Sequence, residues 1–342
     1  MQSELDYQTE ISDLTREIDR LQSTIAKERS RSERYFTAVA DAVKSGLKSL
    51  RLPNVPPPVK DRRRKDAETA IVFISDWHIG KATPSYSTAT CEERISRLAR
   101  KVVEITNIQR LDHPVKHCAI IATGDMIEGE LIFPGQAWEV DSSLYRQVTV
   151  DGPRILSDLI RTMLANFESV TVYATPGNHG GLGGRSRRDM HPESNADRML
   201  YQIVRMVLEG ESRLSWQLAD DWYTVADLGD RCRFLCLHGD QVRGWAGIPW
   251  YGWARRVLGW ASLSRLWPDM TFDHVLAGHF HTPVSMYLNG RRVWINASTE
   301  SHNPYALEEM SSAGEPAQWL LYVLPGRGVT AEYLVQLGDD YA

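Results

Sequence analysis

The chain has 342 residues, enough for one large domain with an appendage and a sizeable core. Its formal net charge of −5 does not mark a general nucleic-acid binder, although a local basic patch can still hold one. The four cysteines, Cys91, Cys118, Cys232 and Cys236, form no CxxC pair and read as buried free thiols of a reducing compartment. The polar N-terminus has no signal-peptide core and no run is long and apolar enough to span a membrane, so a cytoplasmic protein is expected.

Residues 1–50 read as helix. Tyr7, Ile11, Leu14, Ile18, Leu21 and Ile25 recur at spacings of four and three, an a/d stripe with isoleucine at a and leucine at d. That pattern predicts a short parallel coiled coil and hence a homo-oligomer. The alternative is an amphipathic helix folded back on its own chain, since short coils are marginal alone. Residues 51–69 read as a linker stiffened by Pro53, Pro56, Pro57 and Pro58, with a basic run from Lys60 to Lys65. Such a run is usually a solvated segment and less often a phosphate-binding arm.

The body, residues 70–342, alternates strands and helices. AIVFISD, ending at Asp76, is a buried strand, as are HCAIIAT from His117 and SVTVYAT from Ser169. Ile95, Leu98, Val102 and Ile105 mark one helix face. Leu156, Leu159, Ile160 and Met163 mark a second, entered at Asp151 and Pro153, and Met199, Leu200, Ile203, Val204 and Val207 a third. After Asp221 the chain turns mostly to strands: WYTVADL, RCRFLCLH, FDHVLAG, RRVWINA and WLLYVL. The order βαβαβα followed by β suits a layered α/β body.

Polar residues that bind metals gather where these strands end, each in a glycine-containing turn. Asp76 and His78 form D-x-H; Asp125 and Glu128 lie in GDMIE; Asn178 and His179 in PGNH; His238 and Asp240 in HGD; His279 and His281 in GHFH. Strand-end loops are where function concentrates in open α/β sheets. Carboxylate, imidazole and amide oxygen without thiolate suit manganese, iron or zinc. If these stretches are extended, residues i and i+2 point the same way, so each D-x-H or H-x-H pair would face one site. Asp125, in its tight turn, is the natural carboxylate to bridge two ions. Each motif alone is weak, but the five in order hold half of the ten histidines. His113, His117, His191, His274 and His302 read as structural.

D-x-H, GD-x-x-E, GNH, HGD and GHxH in this order resemble the calcineurin-like metallophosphoesterase family, over roughly Ala70 to Ser301. The resemblance implies a four-layer sandwich of two mixed β-sheets flanked by helices. It implies two divalent ions per chain, with Mn the expected metal and Fe, Zn or Mg the other candidates. By the same resemblance Asp76, His78, Asp125 and His281 hold one ion, and Asp125, Asn178, His238 and His279 the other. His179 would stand outside the metal shell beside the scissile ester, oriented by Glu128. Two positions depart from the family pattern: Gly180 follows GNH where an acidic residue is frequent, and Gly129 stands where many phosphatases carry an arginine that grips the phosphate.

The phrases SDWHIGK, GDMIEGE and HGDQVRG look similar to DNA-repair exonucleases of the SbcD type and to phage-encoded relatives. The extension here is N-terminal, so the ATPase partner of that branch is not expected. Arg185, Arg187 and Arg188, just after His179, suit phosphate oxygens, the alternative being a solvated basic loop. The stretch from Trp245 to Trp267 mixes Trp250, Tyr251, Trp253 and Trp260 with Arg255, Arg256 and Arg265. It reads either as a packed amphipathic helix or as a base-stacking platform. Three functions are in play: a metal-dependent DNA nuclease, a hydrolase of small or cyclic nucleotides, and a catalytically silent assembly protein. The full ligand set argues against the last.

Overall fold

A computed structural model describes residues 14–21, 23, 55–182, 191–243, 247–264, 266–300 and 315–338. The chain divides into two units, Met1–Leu52 and Pro53–Ala342. In the first, residues 14–21 and 23 are helical, and Leu14, Ile18 and Leu21 are exposed. Tyr7, Ile11 and Ile25 of the expected coil lie outside the described residues.

In the second unit β1 (Glu68–Ile74), β2 (Val115–Ala122), β3 (Ser169–Ala174) and β4 (Leu214–Leu218) run parallel, joined through helices α1 (Thr88–Gln109), α2 (Gly152–Asn166) and α3 (Ala196–Val207). Two antiparallel strands, β10 (Ala317–Leu324) and β11 (Gly328–Gln336), extend this sheet beyond β1. Its order is β11-β10-β1-β2-β3-β4. The second sheet, ordered β5-β6-β7-β9-β8, contains β5 (Tyr223–Asp227), β6 (Arg233–Leu237), β7 (His274–Ala277), β8 (Val284–Leu288) and β9 (Arg291–Ile295). In it β6, β7 and β9 are parallel and both edges are antiparallel, so both sheets are mixed.

The side chains explain the layering. Strand residues alternate faces, so Ile71 and Phe73 of β1 meet Phe234, Leu276 and Trp294 of the second sheet in one core. The outer face of the second sheet, with Leu235, Val275, Val293 and Ile295, is covered by Trp253 and Val257 of a fourth helix, α4 (Trp250–Leu263). The first sheet's outer face takes α1–α3, whose apolar residues Leu98, Val102, Leu159, Ile160 and Val204 are buried. Each fully buried Ile or Phe contributes about 1.5–3 kcal/mol. The result is helix, sheet, sheet, helix, the sandwich expected from the sequence.

The helix starts are locally encoded. Ser87 accepts from the Thr90 amide at the head of α1, Asn195 accepts from the Asp197 amide at the head of α3, and Pro153 occupies the first turn of α2. The segment ahead of β1 is partly anchored on the body: Lys65 pairs with Asp112 at 2.6 Å and the Val55 carbonyl accepts from Arg213, while Arg63 pairs locally with Asp61 at 2.6 Å. All four cysteines are buried and free. Among the described residues no helix is long and apolar enough to cross a membrane.

Candidate metal centre

The carboxyl ends of β1, β2, β3, β6 and β7 lie at one end of the sandwich, and the loops leaving them carry the five motifs. Their side chains meet in three groups, each with ligand atoms within 4.8 Å of one another. These are Asp76, His78 and His281; Asp125, His238 and His279; and His78, Glu128 and His179.

The backbone that aims them is not extended. Among the described residues seven non-glycine residues have positive φ, and five of them are Asp76 (54°), His78 (47°), Asp125 (50°), His279 (73°) and His281 (54°). The expectation that i and i+2 converge by strand alternation is therefore corrected. Both D-x-H and H-x-H turn through the left-handed region, which costs an L-residue on the order of 1–3 kcal/mol each. The surrounding packing holds them there. A Cβ on Gly177 would lie 2.1 Å from Asp125 Oδ1, and one on Gly278 would lie 2.3 Å from Asp76 Oδ2, so each carboxylate rests directly on a glycine.

Asp197, at the start of α3, ties two of these loops together. Its Oδ2 accepts from the amides of Asp125 and Gly177 at 2.9 Å each, and its Oδ1 from those of Met126 and Ile127 at 3.0 and 3.2 Å. Asn195 adds a bond from Nδ2 to the Gly177 carbonyl at 2.8 Å. Asp125 Oδ1 accepts from the His179 amide at 2.8 Å, and the His279 amide donates to Asp76 Oδ1 at 3.0 Å.

The imidazoles are fixed by their second nitrogens. His238 Nδ1 donates to the Thr123 carbonyl at 2.8 Å, and His78 Nδ1 to Glu128 Oε2 at 2.8 Å, so each ring, when neutral, carries its lone pair on Nε2. His78 Nε2 faces His281 Nε2 at 3.0 Å, and His238 Nε2 faces Asp125 Oδ2 at 3.0 Å. Asn178 Oδ1 is buried with no hydrogen-bond partner. Facing imidazole nitrogens, buried carboxylates beside them and an amide oxygen with no donor among the described residues gather acceptor atoms beyond what the protein's own donors satisfy. Divalent cations satisfy that donor set, and the absence of thiolate suits borderline to hard ions.

Charge follows from the same packing. Burial would raise Asp125, but His238 and His179 hold it well below the ordinary carboxylate range. Burial lowers His78, and burial with His238 alongside lowers His279 to about 3, so both stay neutral. Burial would also lower His179, yet Asp125 and Glu128 raise it to about 10. Asp197 is pushed up to about 6 by burial and by the neighbouring Asp125 charge, against its amide donors.

The profile of calcineurin-like phosphoesterases matches residues 69–283, nearly two-thirds of the chain and every one of these motifs. The chain belongs to the calcineurin-like phosphoesterase family. This phosphoesterase is a hydrolase with a candidate binuclear metal site. No curated protein matches it. Solved structures match at low identity and low TM-score. A conserved uncharacterized protein from Streptococcus pneumoniae TIGR4, a predicted phosphoesterase, is 12% identical with TM-score 0.33, covering 78% of this chain and 98% of its own. Vacuolar Protein Sorting 29 from Cryptosporidium parvum is 13% identical with TM-score 0.37, covering 79% and 100%. An archaeal phosphodiesterase is 14% identical with TM-score 0.35, covering 78% and 99%.

In the phosphoesterase the eight motif residues Asp76, His78, Asp125, Asn178, His179, His238, His279 and His281 lie at this one end, with Glu128 among them. Glu128 plays a broader part than sequence reasoning assigned. Its Oε2 lies closer to His78 Nδ1 (2.8 Å) than to His179 Nδ1 (3.3 Å), and His179 Nδ1 instead donates to the Glu128 main-chain carbonyl at 2.9 Å. Gln136 Nε2 donates to Glu128 Oε1 at 2.9 Å. At Gly129 φ is +77° and a Cβ would lie 2.4 Å from the His179 carbonyl, so this turn excludes the phosphatase arginine. Arg185, Arg187 and Arg188 lie outside the described residues. Sequence reasoning missed Asp197, Asn195 and Gln136. The signal for the first two was SNAD ahead of a periodic apolar run, a helix-start phrase.

Proposed function

We propose that this phosphoesterase binds two divalent ions, best manganese, and cleaves phosphodiester bonds in DNA. Asp76, His78, Asp125 and His281 would hold one ion. Asp125, Asn178, His238 and His279 would hold the other, with Asp125 shared. When bound, such a pair activates a water at neutral pH and neutralises charge on the phosphoryl oxygens. The protein supplies the rest. Glu128 and Thr123 hold two imidazoles in the ligating tautomer, and Asp197 holds the Asp125 and Asn178 loops in register.

His179 is the group left to act on the ester. Its Nδ1 is committed to the Glu128 carbonyl, leaving Nε2 to meet the leaving oxygen. It is part-exposed, as is His281, so the site opens on their side. His179→Ala should keep both ions by elemental analysis and lose about 10²–10⁴-fold in turnover on esters with poor leaving groups. A nitrophenyl ester, which needs little protonation, should lose much less. Equal loss on both would refute the general-acid role.

The observation that favours DNA is the flank of the site. The Trp253 ring of α4 lies 6.0 Å from that of Phe280, which lies 5.2 Å from that of His279, so α4 borders the metal ligands. The packed and platform readings of this stretch divide along the helix. Trp253 is buried and Trp260 packs beside it, while Trp250, Tyr251, Arg255 and Arg256 are exposed. Exposed aromatics beside arginines suit stacking of single-stranded bases. With manganese present, single- and double-stranded DNA set beside cyclic nucleotides tests this. Cleavage of DNA is the expected result; brisk turnover of a cyclic or small nucleotide with DNA untouched overturns it. Neutralising Arg185, Arg187 and Arg188 should weaken DNA cleavage steeply and leave a small nitrophenyl diester nearly unaffected.

The N-terminal stripe is proposed to join at least two copies. Deleting residues 1–52 should reduce the oligomer seen by light scattering and preserve metal content. A monomeric full-length chain at micromolar concentration would refute it.

A further inference from the structure

At the end of the sandwich opposite the metal ligands there is a cleft of about 490 Å³. It lies at the amino ends of β6 and β7, whose carboxyl ends carry His238 and His279. His274 in the cleft and His279 at the metal centre are five residues apart, roughly 16 Å along a strand. Three turns build the rim: the β5–β6 turn brings Arg231, the β8–β9 turn brings Asn289 with Arg291 at the start of β9, and the β10–β11 turn brings Arg327.

Positive charge is in excess in this cleft: four arginines, Arg231, Arg291, Arg292 and Arg327, line it beside a single carboxylate, Asp273. Arg231, Arg291 and Arg327 have no ion pair among the described residues, and Arg291 Nε is buried without a hydrogen-bond partner. Arg291 is held over the Phe272 ring, 5.3 Å from its centroid. Of the carboxylates close by, Glu332 is engaged with Arg292 and Trp294, and Asp273 accepts from the Arg233 amide. His274 adds a donor. Its Nδ1 accepts from the Arg292 main-chain amide at 3.3 Å, so the neutral ring carries its proton on Nε2. Burial and the neighbouring arginines keep that ring neutral, despite Asp273. Guanidinium forks brought to one cleft from separate parts of the chain fit the tetrahedral oxygens of phosphate better than a point charge does.

We infer that this cleft is a second anion site, separate from the metal centre, that binds a phosphate ester. The phosphate comes either from a polynucleotide backbone or from a free nucleotide. The inference does not depend on which ester the metal centre hydrolyses.

The test compares the manganese-loaded full-length protein with its Arg231→Ala/Arg291→Ala/Arg327→Ala variant. One arm titrates a fluorescein-labelled phosphorothioate single strand by anisotropy, and the other titrates adenosine monophosphate by calorimetry. Turnover of a nitrophenyl diester, a metal-centre reaction, should be the same in both proteins. The variant is expected to lose at least tenfold in affinity in one arm, and the arm that responds names the source. If it is the oligonucleotide, the log–log salt slope should also fall by about 2, at roughly 0.7 per phosphate contact. Equal affinities for both proteins in both arms overturn the site. Citrate competing as strongly as phosphate overturns the phosphate assignment. Should the triple variant lose its nitrophenyl diester turnover, Arg327→Glu on the exposed turn is the second variant, with the same expected loss.

Discussion

Asp125→Asn is expected to reduce hydrolysis by on the order of 10³-fold and to lower metal content. The carboxylate groups with His238 and His279, and is the one proposed to be shared by both ions. Its Oδ2 lies 3.0 Å from His238 Nε2 and its Oδ1 accepts from the His179 amide, so one side chain touches both a candidate ligand and the loop of the proposed general acid. An amide keeps the shape but loses the negative charge, and its NH₂ presents a donor where acceptors converge. Metal stabilisation of phosphoryl charge is worth several kcal/mol, and each 1.36 kcal/mol is tenfold in rate. Elemental analysis of the variant beside its nitrophenyl diester turnover checks this. Full activity with only one tightly held ion per chain would defeat the binuclear assignment.

Asp197→Ala should destabilise the fold by about 3–5 kcal/mol, the lower part of what several orphaned buried donors cost together. Four backbone amides, those of Asp125, Met126, Ile127 and Gly177, would lose their acceptor inside the protein. Each buried unsatisfied donor costs about 1–3 kcal/mol, but water entering the space left by the side chain limits the sum. Urea unfolding measures the loss. Asp197→Asn, which still offers one acceptor oxygen, should recover part of it. Metal affinity should also fall, by about 10–100-fold as for other outer-shell partners, because the left-handed turn at Asp125 loses its anchor. Unchanged stability in Asp197→Ala would mean the loops are held by packing alone.

Much of this phosphoesterase was legible as sequence. The motifs sit beside apolar runs short enough to be buried strands, and strand ends of a parallel sheet necessarily fall on one side. That is why Asp76, Asp125 and Asn178 group together on sequence grounds alone. His238 and His279 followed from the same logic in the second sheet. What local pattern could not supply was how the side chains are aimed. The left-handed φ at Asp76, His78, His279 and His281 is imposed from outside the motif, by contacts such as that of Asp76 on Gly278 across 202 residues. Strands β4, β8 and β11 went unread: β4 and β11 are only partly buried edge strands without a continuous apolar run, although Asn289-Gly290 is a hairpin signal for β8.

The sequence by itself determined the family, the layered α/β class and the candidate ligating side chains, because residue type and strand-end position are local properties of the chain. Only the tertiary structure decided that Asp197 clamps two loops and that Glu128 serves His78 as well as His179. It alone divided the tryptophan stretch into a buried and an exposed face, and brought three distant turns together around an arginine cleft. Those relations join residues far apart in sequence. They come from the packing of two sheets and four helices, on which hydrophobic periodicity places faces but not partners.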